Sequence, residues 1–157
     1  EKDGTVTAGN APSVNDGAAA VVVVSGAKVK ELGLKPMARV TGYASGGTSP
    51  EMIFYAPVVA VRKLMERTGR KIGDYDLIEA NEAFAVQALV DGNELGWDWS
   101  RVNVRGGAVA LGHPIGASGT RVLVTLLHGL RDRGGTQGLA TLCLGGGNAV
   151  ALSVETV

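Results

Sequence analysis

Apolar residues recur along the chain in two rhythms, and the rhythm changes at glycines. Residues 18–24 are apolar without interruption and end in four consecutive valines, which predicts a strand buried on both faces. Asn15-Asp16-Gly17 before it reads as a turn or cap. Residues 27–32 predict a short helix closed by Gly33, and residues 39–43 a second strand. Pro57 suits a helix start; Val58, Val61 and Met65 then share one face, with Gly69 as the stop. Residues 76–80 predict a strand running straight into a helix over 82–94, with Phe84, Ala88 and Leu89 inward and Gly96 beyond. A short strand over 102–104 leads to a loop over 105–119. The helix over 120–130 carries Leu123, Leu126, Leu127 and Leu130 at helical spacing and ends before Gly134-Gly135. Strands over 139–144 and 149–154 close the chain, joined by a glycine turn at 145–148.

Alternating strands and helices with a final β-turn-β pair predict an α/β layered domain with a mixed sheet and an antiparallel edge. The expected boundaries are a leading piece of another domain over 1–25 and one domain over 26–157. The chain has 157 residues with 24 glycines, so small side chains and close helix–sheet layers are expected. Fifteen basic and fifteen acidic residues cancel, leaving no field that favours nucleic acid or an anionic membrane. The single cysteine excludes an intrachain disulfide framework and suits a reducing, cytoplasmic compartment. No apolar run reaches membrane-spanning length, and no signal or transit peptide opens the chain. The start on Glu1-Lys2-Asp3-Gly4, without Met, is expected of the middle of a longer polypeptide.

Three short strings bring in chemistry. His113 lies in Gly112-His113-Pro114, inside a run where five glycines and a proline surround one imidazole. That density allows close approach of other chain or ligand atoms; the competing reading is a surface-loop histidine. The run is neither a P-loop, which needs Gly-Lys-Ser/Thr, nor a dinucleotide fingerprint, whose spacing differs. Cys143 ends a strand just before Gly145-Gly146-Gly147, either as an inert strand thiol or beside backbone N–H donors suited to an oxyanion. Asn81, in Asn81-Glu82-Ala83-Phe84, is either an N-cap or a ligand-binding amide at a strand's carboxyl end. Glu79, Glu82 and His128 are expected to be structural.

Together, Asn-Glu-Ala-Phe, the Gly-Gly-Ala-x-Ala-x-Gly-His-Pro-x-Gly-Ala-Ser-Gly run and Cys-x-Gly-Gly-Gly closely resemble the thiolase family, in matching order and intervals. Residues 4–10 and 15–19 also resemble the end of the amino-terminal thiolase half. The general look is that of the acetyl-CoA acetyltransferase branch, and the resemblance covers about the last two-fifths of a thiolase. It implies a layered α/β domain with a mixed five-stranded sheet and helices on both faces. It also implies an acyltransferase acting on coenzyme A thioesters, with no metal and no redox cofactor. His113 matches the histidine that activates a nucleophilic cysteine carried by the amino-terminal half, the expected partner. Cys143 matches the second cysteine, which moves the α-carbon proton. Asn81 matches the residue holding a water that stabilises the enolate oxygen, and the Gly145 N–H one donor of the other oxyanion site.

Pro12, Ile53, Ala83 and Phe84 match or adjoin substrate-contacting positions. Pro12 stands where many thiolases have a serine that contacts coenzyme A, and Ile53-Phe54-Tyr55-Ala56-Pro57 replaces the frequent Met-Gly-x-Gly-Pro. No nucleophilic cysteine is present, so the chain alone is expected to be inactive. A full-length homodimer or homotetramer is expected. The rival readings are a non-catalytic assembly or CoA-binding module, a longer-chain 3-ketoacyl-CoA thiolase, and a hydrolase using Cys143 and His113 as a dyad.

Overall fold

In the computed structural model, which describes residues 3–157, the elements follow the order α1 (Gly26–Leu32), β1 (Ala38–Gly47), α2 (Ala56–Thr68), β2 (Leu77–Ala80), α3 (Ala85–Leu95), α4 (Ala108–Leu111), α5 (Ser118–Arg133), β3 (Gln137–Leu144) and β4 (Asn148–Thr156). The strands lie side by side as β1-β4-β3-β2. β4 is antiparallel to both β1 and β3, and β2 is parallel to β3. The mixed sheet and the closing antiparallel pair agree with the sequence reading.

Period-two alternation sorts the strand side chains onto two helices. Ile78, Ala80, Leu139, Ala149 and Ala151 pack with Val58, Val61 and Leu64 of α2. Leu77, Ala140 and Val154 turn the other way, onto Leu126 and Leu130 of α5. Helices thus cover both faces, as expected. The α2 face is built from small residues because the backbones nearly touch. A Cβ at Gly46 would lie 2.8 Å from the Cα of Ala60, so only glycine fits at that point of β1. Caps fix the helix ends: the Ser25 hydroxyl accepts the Lys28 N–H at 3.2 Å, and Gly69 closes α2 in the left-handed region at φ 69°.

Four expectations need correction. Among the described residues the sheet has four strands rather than five, because residues 102–104 make only a single bridge, Val102 to Ile78, and no strand. Asn103 takes the strand's place: its N–H donates to the Ile78 carbonyl at 2.9 Å, and its side-chain amide both donates to and accepts from the Ala80 backbone at 2.9 Å. A side chain that saturates the edge of β2 removes the need for a longer ladder. Residues 18–24 are extended but join no sheet, and Val22 and Val23 are 91% and 84% exposed. β-branching favours an extended backbone, but a strand also requires a hydrogen-bonding neighbour. Helix α3 starts at Ala85, not at residue 82, since Phe84 stays extended at φ −151° and ψ 150°. Leu89 is exposed, while Phe84 is half-buried and Ala88 buried.

Candidate active site

Asn81 follows β2 directly and continues its ladder, donating its N–H to the Thr141 carbonyl on β3 at 2.9 Å. Its side chain is 1% exposed, and neither the amide oxygen nor the amide nitrogen has a protein partner among the described residues. An N-cap would accept a backbone N–H; Asn81 does not, and Phe84 occupies the position preceding α3. A buried amide without partners is costly in a native fold, and such groups are accounted for by bound water or ligand.

The loop beyond Asn81 is held by its neighbours. One carboxylate oxygen of Glu82 accepts from the Asn103 side chain and the other from the Val109 N–H, both at 2.9 Å. The second bond places negative charge at the first turn of α4, where it complements the free amides. The Ala83 N–H donates to the Gln87 side-chain oxygen at 3.0 Å, and the Gln87 nitrogen donates to buried Asp91. Phe84 meets Phe54 edge-on, with ring centroids 5.0 Å apart and planes at 77°. Half-buried Ile53 belongs to the same 3-10 turn as Phe54.

His113 is positioned from two sides. Its N–H donates to the Ser13 carbonyl at 3.1 Å, tying the loop to the leading segment. Gly112, at φ 98°, leaves no room for a side chain against the Asn15 amide. The His113 Nδ1 lies 2.6 Å from the Ser118 hydroxyl, which itself donates to the Pro114 carbonyl at 3.1 Å. With the serine hydrogen so used, Nδ1 carries the imidazole proton and Nε2 is left as the basic nitrogen. Burial, then the Arg121 cation, hold the His113 pKa below its ordinary value. The ring is therefore neutral at pH 7, the form a general base requires.

Cys143 is half-buried near the end of β3, paired in register with Ala149. Burial, followed by the Asp91 carboxyl, pushes its thiol pKa up, against a smaller backbone hydrogen-bond contribution. A thiol so placed rests protonated and exchanges a proton more readily than it serves as a standing thiolate nucleophile. Gly145, beyond it, is exposed at the start of a 3-10 turn. That turn is anchored by the Thr48 N–H donating to the Gly147 carbonyl at 2.8 Å.

Pro12 is half-buried between Asn10, whose carbonyl accepts the Ala85 N–H at 3.0 Å, and Ser13. It offers no hydroxyl, and the Ser13 hydroxyl is engaged with Asn15 at 2.8 Å. An open cleft of about 340 Å³ separates residues 15–19 from Pro114 and Thr120, but Asn81, His113 and Cys143 do not line it. His128, expected to be structural, pairs with Arg131 at 2.9 Å.

Sequence reasoning overlooked Ser118 and Arg121. Both were visible in one respect: they lie three residues apart at the start of α5, on one helical face and five and eight residues past His113.

Comparison with known proteins converges on one family. The family description "Thiolase, C-terminal domain" matches residues 34–156, and "Thiolase, N-terminal domain" matches residues 1–27. The acetyl-CoA acetyltransferase of Chromobacterium violaceum is 61% identical over 99% of the chain, and that of Escherichia coli K12 is 55% identical over 99%. The crystal structure of the Bacillus anthracis acetyl-CoA acetyltransferase superposes with a TM-score of 0.98 at 48% identity, covering the whole chain. Human mitochondrial 3-ketoacyl-CoA thiolase in complex with CoA gives a TM-score of 0.92 at 39% identity, also over the whole chain. The chain spans about two-fifths of the length of these relatives: 40% and 39% of the two acetyltransferase sequences and 40% of each solved chain. With its strand-end amide, glycine-bound imidazole and strand-end thiol on this sheet, the chain belongs to the thiolase family.

Proposed function

We propose that the chain is the carboxy-terminal catalytic half of an acetyl-CoA acetyltransferase, joining two acetyl-CoA into acetoacetyl-CoA and CoA and running the reverse thiolysis. An amino-terminal half, which residues 1–25 complete, supplies a nucleophilic cysteine, and His113 Nε2 takes its proton. The thiolate attacks acetyl-CoA, the thioester C–S bond breaks, and CoA leaves with the proton of the Cys143 thiol, which becomes a thiolate. Cys143 then removes an α-proton from a second acetyl-CoA. The enolate oxygen is held by His113 and by water on Asn81. The enolate carbon attacks the acyl-enzyme carbonyl, whose oxygen is held partly by the Gly145 N–H, and the cysteine departs as a thiolate that recovers its proton from His113 as acetoacetyl-CoA is released.

The observation that carries this reading is Asn81, an almost fully buried amide with both polar atoms unpartnered, beside the strand that ends near Cys143. A thioester α-proton is too weakly acidic for a thiolate base unless preorganised donors hold the enolate, and one such donor is typically worth about 10²–10³ in rate. The Phe54–Phe84 pair supports acetyl over longer chains, because two edge-packed rings fill space beside Ile53 and Ala83. Pro12, at a position the family resemblance gives to a coenzyme A contact, has no hydroxyl to offer. The assembled enzyme is a cytoplasmic homodimer or homotetramer.

The test joins this chain to the amino-terminal three-fifths of the Chromobacterium violaceum relative and measures acetoacetyl-CoA thiolysis. Turnover that falls by about 10³ or more in Cys143→Ala supports the reading. A folded chimera without thiolysis would instead make this a non-catalytic assembly module.

A further inference from the structure

Behind the site, on the α5 side of β2, lies a second group of buried polar atoms that the proposed chemistry does not use. Leu77 faces α5, so Glu79 and Asn81, two and four residues on, follow the same side of the strand. Glu79 is 2% exposed, and its Oε2 lies 3.7 Å from Nη1 of Arg121 on α5. That separation is too long for a direct hydrogen bond. Among the described residues Glu79 Oε2, both polar atoms of Asn81, and Nε and Nη2 of Arg121 are all buried without protein partners. Five such atoms are many for one corner of a domain in which most buried polar groups are paired. They include donors and acceptors, and residues two apart on a strand are on the order of 7 Å apart, a span that one or two waters bridge.

We propose that Glu79 and Arg121 are positioning residues, which share a buried water site with Asn81 and through it fix the orientation of the Asn81 amide. The proposal deepens the functional reading above and rests on it for its kinetic consequence. Arg121 is suited to the task because it links three parts of the site. It sits one helical turn after Ser118, which holds His113 Nδ1. Its own backbone accepts the Thr125 hydroxyl at 3.0 Å, and its Nη1 donates to Thr125 at 3.4 Å, which leaves Nε and Nη2 for the water site. Any shift of the guanidinium thus reaches the amide and the imidazole together.

The charges around the pair give the proposal a sign. Glu79 is pushed up to about 7, by burial first and by Glu82 after β2, against Arg121 on α5 and Arg105 before α4; β3 presents the uncharged Ala140. His113 is faced by the Arg121 cation on α5 and by uncharged Ser13 and Val14 of the leading segment. Removing the cation therefore raises the His113 pKa. Glu79, which holds its proton over the acid range in which His113 titrates, leaves that pKa in place when replaced by Gln.

The experiment uses the chimera described above, with acetoacetyl-CoA and CoA as probes and the variants Arg121→Met, Arg121→Lys and Glu79→Gln. Arg121→Met is expected to lower kcat about 10–100-fold with KM for acetoacetyl-CoA within about twofold, as a misplaced amide predicts. The acid limb of kcat/KM moves to higher pH in Arg121→Met, returns in Arg121→Lys, and keeps the parent position in Glu79→Gln. In Arg121→Met, a kcat within about twofold of the parent with an unmoved acid limb overturns the proposal, whatever the change in thermal stability. Should Arg121→Met not fold, the two near-isosteric variants carry the test through the Asn81 amide signals described below. A parent chimera without turnover defeats the functional reading instead. The water site is then read from the Asn81 side-chain amide NMR signals: a shift in Glu79→Gln and Arg121→Lys supports it, and unchanged signals overturn it.

Discussion

Helices α2 and α5 cover opposite faces of one sheet, yet their contacts differ. Against α2 the strands present Ala44, Ala80, Ala149 and Ala151, packed on Val58, Val61 and Leu64, with glycine where backbones meet. Against α5 the far end is a leucine cluster, but toward the strand ends leucine gives way to Glu79, Asn81, Ser118 and Arg121. The α2 side is shaped by volume, and its cost of change is a packing cost. The other end of the α5 side is shaped by buried polar groups, and under the proposed function a change there is expected to alter chemistry before it alters stability. The sheet thus separates a close-packed support from a polar face that carries the proposed chemistry.

The contrast is sharpened most by changes at the reactive end. In the chimera, His113→Asn is expected to lower thiolysis by about 10²–10⁴, the usual worth of a positioned acid–base group, with the denaturation midpoint nearly unchanged. Asn81→Ala is expected to cost about 10²–10³ in kcat, and equilibrium unfolding should show little loss, since the amide it removes has no protein partner. On the support side the pattern reverses. Leu64, fully buried, should cost about 2–5 kcal/mol of stability as Leu64→Ala, read by urea unfolding, while the surviving folded enzyme keeps its KM.

One residue near the support breaks the rule. Asp91 of α3 is fully buried, and burial raises its pKa from 3.8 to about 7 despite the Gln87 donor. A raised carboxyl pKa means the folded state holds the proton more tightly than the unfolded state. Stability from this group is therefore greatest below pH 3.8 and is lost as pH rises to about 7, by up to about 4 kcal/mol. Asp91→Asn should flatten that slope, seen as unfolding midpoints that change less between about pH 5 and pH 8. The smallest effect expected is in substrate choice. Phe54→Ala should raise kcat/KM for longer 3-ketoacyl-CoA substrates relative to acetoacetyl-CoA by about tenfold, the order of one or two methylenes in an apolar pocket.

Much of this arrangement was legible in the sequence, and the failures share a cause. Helical spacing located α2 and α5, and glycines located their ends, because those signals are local. The three strings singled out Asn81, His113 and Cys143 as candidates for the same reason. The run of four valines misled, since apolar continuity reports that something covers a segment but not that this sheet does. Residues 102–104 misled because a side-chain amide, from Asn103, replaced a strand's backbone bonds. The early helix start at residue 82 ignored that Glu82 is used elsewhere, on Asn103 and Val109. Arg121 escaped notice because its partners, Glu79 and the first turn of α5, meet only through the fold.

The central claim is that Cys143 moves a proton and that the acyl group is carried by a cysteine of the other half. Brief incubation of the chimera with acetyl-CoA, followed by acid quench, proteolysis and mass spectrometry, tests it directly. The account predicts one acetyl group on an amino-terminal cysteine, formed also in Cys143→Ala and lost in His113→Asn. An acetyl group on Cys143 itself, with turnover retained, would contradict it.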